Sequence, residues 1–293
     1  MKGLAVLRRV GIAVLLALIV IRPDFGTTAV ETTSARQVAI VLVVDRTKSM
    51  DALDVDEGPR FDRLRTDLIE LVRSLPEASF ALISFATEAT VELPLTSDLA
   101  IVEQRLAALD LESPLRADGS RLDRPLEKVV GLMQQTIAQT PDGLVRIVLA
   151  GDGENTESGS QASYAPVRRL ISDGVVLGYG TEDGGRMTIA GGTDLSQGYI
   201  PVGGSDRPAI SRFDPRNLRT VADELGVPFV HRDRAGGIDA VATRIGEDTV
   251  EGSALSGREL TWLFAMLLLI LALIELRASW RGLLSTARDR VRS

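Results

Sequence analysis

An α/β fold, with a doubly wound, mostly parallel sheet and helices on both faces, is what this 293-residue sequence predicts, flanked by two hydrophobic segments. Three observations lead there. Apolar runs that do not alternate with polar residues, Val38 to Val44 and Leu144 to Ala150, read as strands buried on both faces. Segments with apolar residues three and four apart lie between such runs, as amphipathic helices do. Acidic residues stand just after two of the runs, at Asp45 and Asp152, where open α/β sheets place their ligands.

Taken in order, the strands are expected at Gln37 to Val44, Ser79 to Phe85, Val91 to Leu93, Leu144 to Ala150, Val175 to Tyr179 and Pro228 to His231. The first helix, Phe61 to Leu75, puts Leu64, Leu68, Leu71, Val72 and Leu75 on one face. A second opens with a Ser97-Asp98 cap and carries Leu99, Val102, Leu106 and Leu109. Others are expected at Asp123 to Ala138, Tyr164 to Asp173, Pro215 to Leu225 and Gly237 to Ile245. Between Gly180 and Phe213 the chain is rich in glycine pairs and irregular, longer than an ordinary connection in a compact domain. No internal repeat, P-loop or dinucleotide fingerprint is present.

Composition narrows the chemistry. The absence of cysteine removes disulfides, zinc–thiolate sites and thiol catalysis. A formal charge of −7 argues against a nucleic-acid binder, and 4% aromatic residues leave little for stacking bases or sugars. The single histidine, His231, reads as an ordinary polar residue near a strand end.

The ends of the chain suggest a membrane. Val10 to Ile21 follows Lys2, Arg8 and Arg9 and has the length of a signal-peptide core. Leu4 to Leu7 lengthens it toward an uncleaved anchor if the two arginines snorkel, which gives residues 1–23 as the N-terminal segment and 24–36 as a linker. The second segment, residues 258–276, runs uninterrupted through Leu260 to Ile274. Trp262 and Trp280 lie about 27 Å apart along a helix, near one hydrocarbon thickness. Arginines crowd the tail 277–293, so both tips are expected in the cytoplasm, with the acidic middle outside it.

The motifs that carry chemistry sit at strand ends. Asp45-Arg-Thr47-Lys-Ser49 offers hard oxygens at alternate positions, suited to Mg²⁺ rather than zinc or copper. Gly151-Asp152-Gly153 adds a second acid between glycines. Ser120, after Asp118-Gly119, either caps a helix or turns its hydroxyl toward an ion. Each motif has a plain reading as a turn or cap; their order, each before a helix, points to one site.

With those residues in place, residues 37–250 resemble the von Willebrand factor A-domain family, whose fold is Rossmann-like. Its metal-ion-dependent adhesion site, MIDAS, has the order Asp-x-Ser-x-Ser, then Thr, then Asp. The resemblance implies one Mg²⁺ or Mn²⁺ per domain held by Asp45, Thr47, Ser49, Ser120 and Asp152, with Thr47 and Ser120 each keeping the hydroxyl the family expects. Arg46 and Lys48 depart from the pattern and could repel a cation if they turned inward. Membrane segments on both sides make the chain similar to bacterial Bat-type, aerotolerance-related proteins, often partnered by MoxR-type AAA ATPases. The implied function is metal-dependent protein–protein interaction at a membrane, without catalysis. The alternatives are a structural scaffold with a degenerate metal site, and a metal-dependent hydrolase using Asp45, for which Thr47 supplies no general acid.

Overall fold

Residues 38–45 (Val38–Asp45, β1) are buried along their whole length, and this strand is the axis on which the site is built. The computed structural model describes residues 36–55, 58–113, 119–203, 205–233 and 236–247, together with residues 16, 266–274 and 277. The remaining strands of the main sheet are β2 (Ser79–Phe85), β3 (Ala89–Thr96), β4 (Leu144–Gly151), β5 (Asp173–Gly178) and β6 (Phe229–His231). Their order is β6-β5-β4-β1-β2-β3, parallel throughout except for the β2–β3 pair. The chain leaves β1 for β2 on one side and later returns to place β4 on the other. The carboxyl ends of β1 and β4 therefore meet at the switch point of the sheet.

Helices α1 (Arg60–Ser74), α2 (Leu99–Ala107) and α5 (Ile238–Gly246) pack on one face, with Leu64, Leu68, Val102 and Ile245 meeting Ile40, Leu42 and Leu82. On the other face α3 (Leu126–Gln139) and α4 (Pro215–Leu225) bring Val129, Met133, Leu218 and Val221 against Val41, Val43 and Leu149. Apolar spacing within each helix set these faces. Asp98 caps α2 by accepting from Ala100 N and Ile101 N, as its position before the apolar run predicts. Asp214 does the same for α4, with Pro215 at the first helical position.

Two elements differ from the sequence expectation. Tyr164 to Asp173 contains no α-helix, only a 3₁₀ turn at Val167–Leu170. Its apolar residues Tyr164, Val167 and Leu170 recur every third position, the repeat of a 3₁₀ turn, and Tyr164 is fixed by donating to Leu122 O. The third strand is longer than Val91 to Leu93, because backbone pairing with β2 continues from Ala89 to Thr96 through two register shifts. At this edge of the sheet a strand tolerates Pro94 and needs no apolar alternation.

The glycine-rich excursion between Gly180 and Phe213 is a set of narrow antiparallel ladders. Gly185–Arg186 pairs with Ile210–Ser211, and isolated bridges join Thr188 to Tyr199 and Pro201 to Pro208. Asp51 anchors its base: one carboxylate oxygen accepts from Thr188 N, Thr188 Oγ1 and Lys48 Nζ, the other from Gly192 N. Replacing Asp51 with alanine is expected to release the excursion locally, weakening these bonds by about 1.5–3 kcal/mol. Faster hydrogen exchange at the Thr188 and Gly192 amides, with little change at β1, would register it.

Residues 35–250 form one compact unit, and Met1–Ser34 with Glu251–Ser293 a second. In the second unit residues 266–274 are helical, with Leu267, Leu269, Ile270, Leu273 and Ile274 exposed. Among the described residues no helix is long and apolar enough to cross a membrane. Most of the two expected hydrophobic segments, the linker and the tail lie outside the described residues.

Candidate metal centre

The site begins with a turn dictated by Asp45. At the end of β1 its Oδ1 accepts from Thr47 N at 2.9 Å and Thr47 Oγ1 at 2.6 Å, and Thr47 Oγ1 lies 2.8 Å from Ser49 Oγ. Asp45 thereby aligns two hydroxyls that enter the 3₁₀ turn Lys48–Asp51. Gly151 of β4 lies flush against Asp45: a Cβ there would come within 2.8 Å of Asp45 Cβ. Beyond Gly151, Asp152 is fully buried and accepts from Glu154 N at 3.0 Å.

Ser120 joins from a third loop. Its N–H donates to Thr156 Oγ1 and its carbonyl accepts from Thr156 N, which ties this loop to the one after β4. Ser120 caps no helix, since α3 starts at Leu126 behind Pro125. Its Oγ is buried and has no hydrogen-bond partner among the described residues. Thr47, Ser49, Ser120, Thr156 and Glu154 line one cavity of about 260 Å³. The loops of the three motifs are thus brought together, with Asp45 bonded to the Thr47 hydroxyl and Asp152 close enough for its charge to act on Asp45.

That crowding shows in the protonation of the acids. Burial, then the charge of Asp152, pushes the Asp45 carboxyl up to about 8, against the hydrogen bonds from Thr47. Burial and Asp152 also raise Glu154, whose Oε2 accepts from Ser211 Oγ at 2.6 Å. A carboxyl raised in this way is one whose burial and acidic neighbours outweigh the donors around it. The donor set is oxygen throughout, with an orphaned hydroxyl, and fits a hard divalent cation. Among the described residues no group of three or more His, Cys, Asp or Glu forms a metal-binding cluster, so such an ion would depend on the hydroxyls.

Arg46 turns away from the cavity, and Lys48 lines it with its ammonium already paired. Arg46 donates to Ser84 Oγ and Asp110 O, and Lys48 pairs with Asp51 at 2.9 Å. The cation that does reach in is Arg60, which the sequence reading left out. Its fully buried guanidinium donates to Asp152 at 2.8 Å, to both oxygens of Asp54 at 2.8 and 2.6 Å, and to Ser211 Oγ and O. Gly180, at φ +124°, makes room for it: a Cβ there would meet Arg60 Nε at 2.6 Å. The overlooked signal was a basic residue opening a helix, where the helix dipole favours an acid and a cation implies a partner. Glu154, Ser211 and Thr156 were also missed, although Asp152-Gly-Glu154 repeats the alternate spacing of the first motif. Asp51 and Asp54, near enough in sequence to suggest surface acids beside the site, are instead spent on internal bonds. His231 is an ordinary strand-end residue, stacked on Phe213 with its Nε2 2.7 Å from Gly180 O.

Comparison with known proteins agrees with this architecture. Residues 40–172 match the von Willebrand factor type A domain. BatB from Bacteroides thetaiotaomicron superimposes with a TM-score of 0.56 at 20% identity, over 72% of this chain and 98% of that one. An aerotolerance-related membrane protein from Bacteroides fragilis does so at 0.54 and 21%, over 72% and 98%. At such identity the two establish a shared fold. No curated protein sequence matches the chain.

Proposed function

We infer, from a chain that carries a von Willebrand factor type A domain resembling those of Bat-type proteins, that this domain binds a partner protein through a divalent cation. The observation that carries the reading is the buried Ser120 hydroxyl, unpartnered among the described residues, in a cavity it shares with Thr47 and Ser49, beside a buried Asp45 carboxyl raised by burial and the charge of Asp152. Thr47, Ser49 and Ser120 would hold Mg²⁺ or Mn²⁺, while Asp45 orients the Thr47 hydroxyl and Asp45 and Asp152 would add negative charge from outside the ligand shell. A bound divalent cation supplies an electrophilic centre that accepts a carboxylate oxygen. Asp45 fixes the direction of the Thr47 hydroxyl, and Arg60 fixes Asp152. None of these roles requires bond breaking, so the site is a recognition device and not a catalyst. With its apolar ends in a bacterial membrane, the protein would assemble complexes there, the arginine-rich tail meeting a MoxR-type AAA ATPase or anionic lipid.

Calorimetric titration of the full-length chain with Mg²⁺ and Mn²⁺ tests this. One ion per chain is expected, with Ser49→Ala and Ser120→Ala each weakening binding by about tenfold or more without lowering thermal stability. Heats that vanish for the natural sequence would overturn it. They would favour a second reading, a scaffold whose site is degenerate, for which the specific observation is that Arg60 already neutralises Asp152.

A further inference from the structure

One part of the cavity wall is apolar. Ile210 and Met187, both from the excursion, line the same space as Thr47, Ser49 and Ser120. Strand alternation explains why Ile210 faces outward. Its neighbour Ser211 is 1% exposed, held inward by Arg60 and Glu154, so Ile210 must point the other way, and it is 39% exposed. The Asp51 and Asp54 anchors fix the base of the excursion, and the Arg186–Ile210 pairing fixes the stem. Aliphatic surface is therefore held at the mouth of the cavity with area left to bury.

Charge adds a second restriction. Glu112 and Glu154 line this cavity too, and the ammonium of Lys48, the one basic lining residue among the described residues, is bound to Asp51. A single carboxylate can be admitted by the ion, but further negative charge beside it meets Glu112 and Glu154. Resting on the metal-dependent reading above, we propose that the partner segment presents one acidic residue flanked by aliphatic side chains, and that Ile210 and Met187 select it. The excursion is then the specificity element of the site, and the three motif loops supply the ion.

The test uses the full-length chain loaded with Mn²⁺ and three acetylated tripeptide amides, Leu-Asp-Leu, Ser-Asp-Ser and Asp-Asp-Asp. Binding is read from paramagnetic broadening of the peptide protons. Leu-Asp-Leu is expected to bind roughly tenfold more tightly than Ser-Asp-Ser, with Asp-Asp-Asp weakest. EDTA should abolish all three. Ile210→Ser should bring Leu-Asp-Leu to the level of Ser-Asp-Ser while leaving Mn²⁺ affinity unchanged, and Met187→Ser serves the same purpose if the first variant fails to fold. Equal affinity for the aliphatic and serine peptides, or preference for Asp-Asp-Asp, overturns the selection by the excursion and leaves the metal reading standing. Failure to bind Mn²⁺, or peptide broadening that survives EDTA, overturns both.

Discussion

Replacing Arg60 with methionine is expected to lower the stability of the domain by about 3–5 kcal/mol, the size of effect seen when one member of a buried ion network is removed. Burial alone would lower the pKa of this guanidinium, but its bonds to Asp54 and the charge of Asp152 outweigh that and hold it above the ordinary value. Without it, two carboxylates and the Ser211 hydroxyl lose their shared donor inside the protein. Lysine should rescue little, because an ammonium cannot span Asp54, Asp152 and Ser211 together. Chemical denaturation of the two variants beside the natural sequence measures the loss. A difference below about 1 kcal/mol would show that Asp152 does not depend on Arg60. Saturating Mg²⁺ should stabilise Arg60→Met more than the natural sequence, since a second cation then replaces part of the missing charge.

The second large effect is a dependence on pH, whose sign follows from Asp45. Its carboxyl is raised to about 8 in the folded chain, against about 3.9 for an unperturbed aspartate. Between those values the folded state keeps a proton that the unfolded state has released. Without metal, this group's contribution is therefore fully present below about pH 4 and is lost as pH rises toward 8, by at most about 1.4 kcal/mol per pH unit. A divalent cation competes with that proton, so its affinity should increase with pH by up to about tenfold per unit and level off above 8. Thermal unfolding and metal titration at several values across this window check both trends. Metal affinity that is flat from about pH 5 to pH 8 would mean that Asp45 gives up no proton on binding.

Much of the framework was legible because it rests on periodicity. β1, β2 and β4 announce themselves as apolar runs, and α1 and α4 as faces of leucine and valine. The convergence of the loops that carry Asp45, Thr47, Ser49, Ser120 and Asp152 was legible for a related reason: strand ends and the loops before helices meet at the switch point of such a sheet. Arg60 was not legible, because its partners Asp152 and Ser211 lie 92 and 151 residues away and no local pattern joins them. Nor could the sequence say where Arg46 and Lys48 would turn. That depended on Ser84 from the neighbouring strand and on whether Asp51 faced water or the protein. The 3₁₀ turn at Val167–Leu170 was misread because a short apolar repeat of three resembles the start of a helix until its length is known.

The stem of the excursion sets limits on how this chain can change length. Ser211 and Ile210 are adjacent, one committed to the interior and the other to the cavity mouth. Inserting or deleting one residue beside the Gly185–Arg186 and Ile210–Ser211 ladder would exchange their faces, burying an isoleucine against Arg60 and turning a serine toward the cavity mouth. A change of length around 193–197 or 205–207, beyond the bridges Thr188–Tyr199 and Pro201–Pro208, leaves that parity intact. The mouth of the cavity is thus tied to the parity of the stem and indifferent to the length of what lies beyond it.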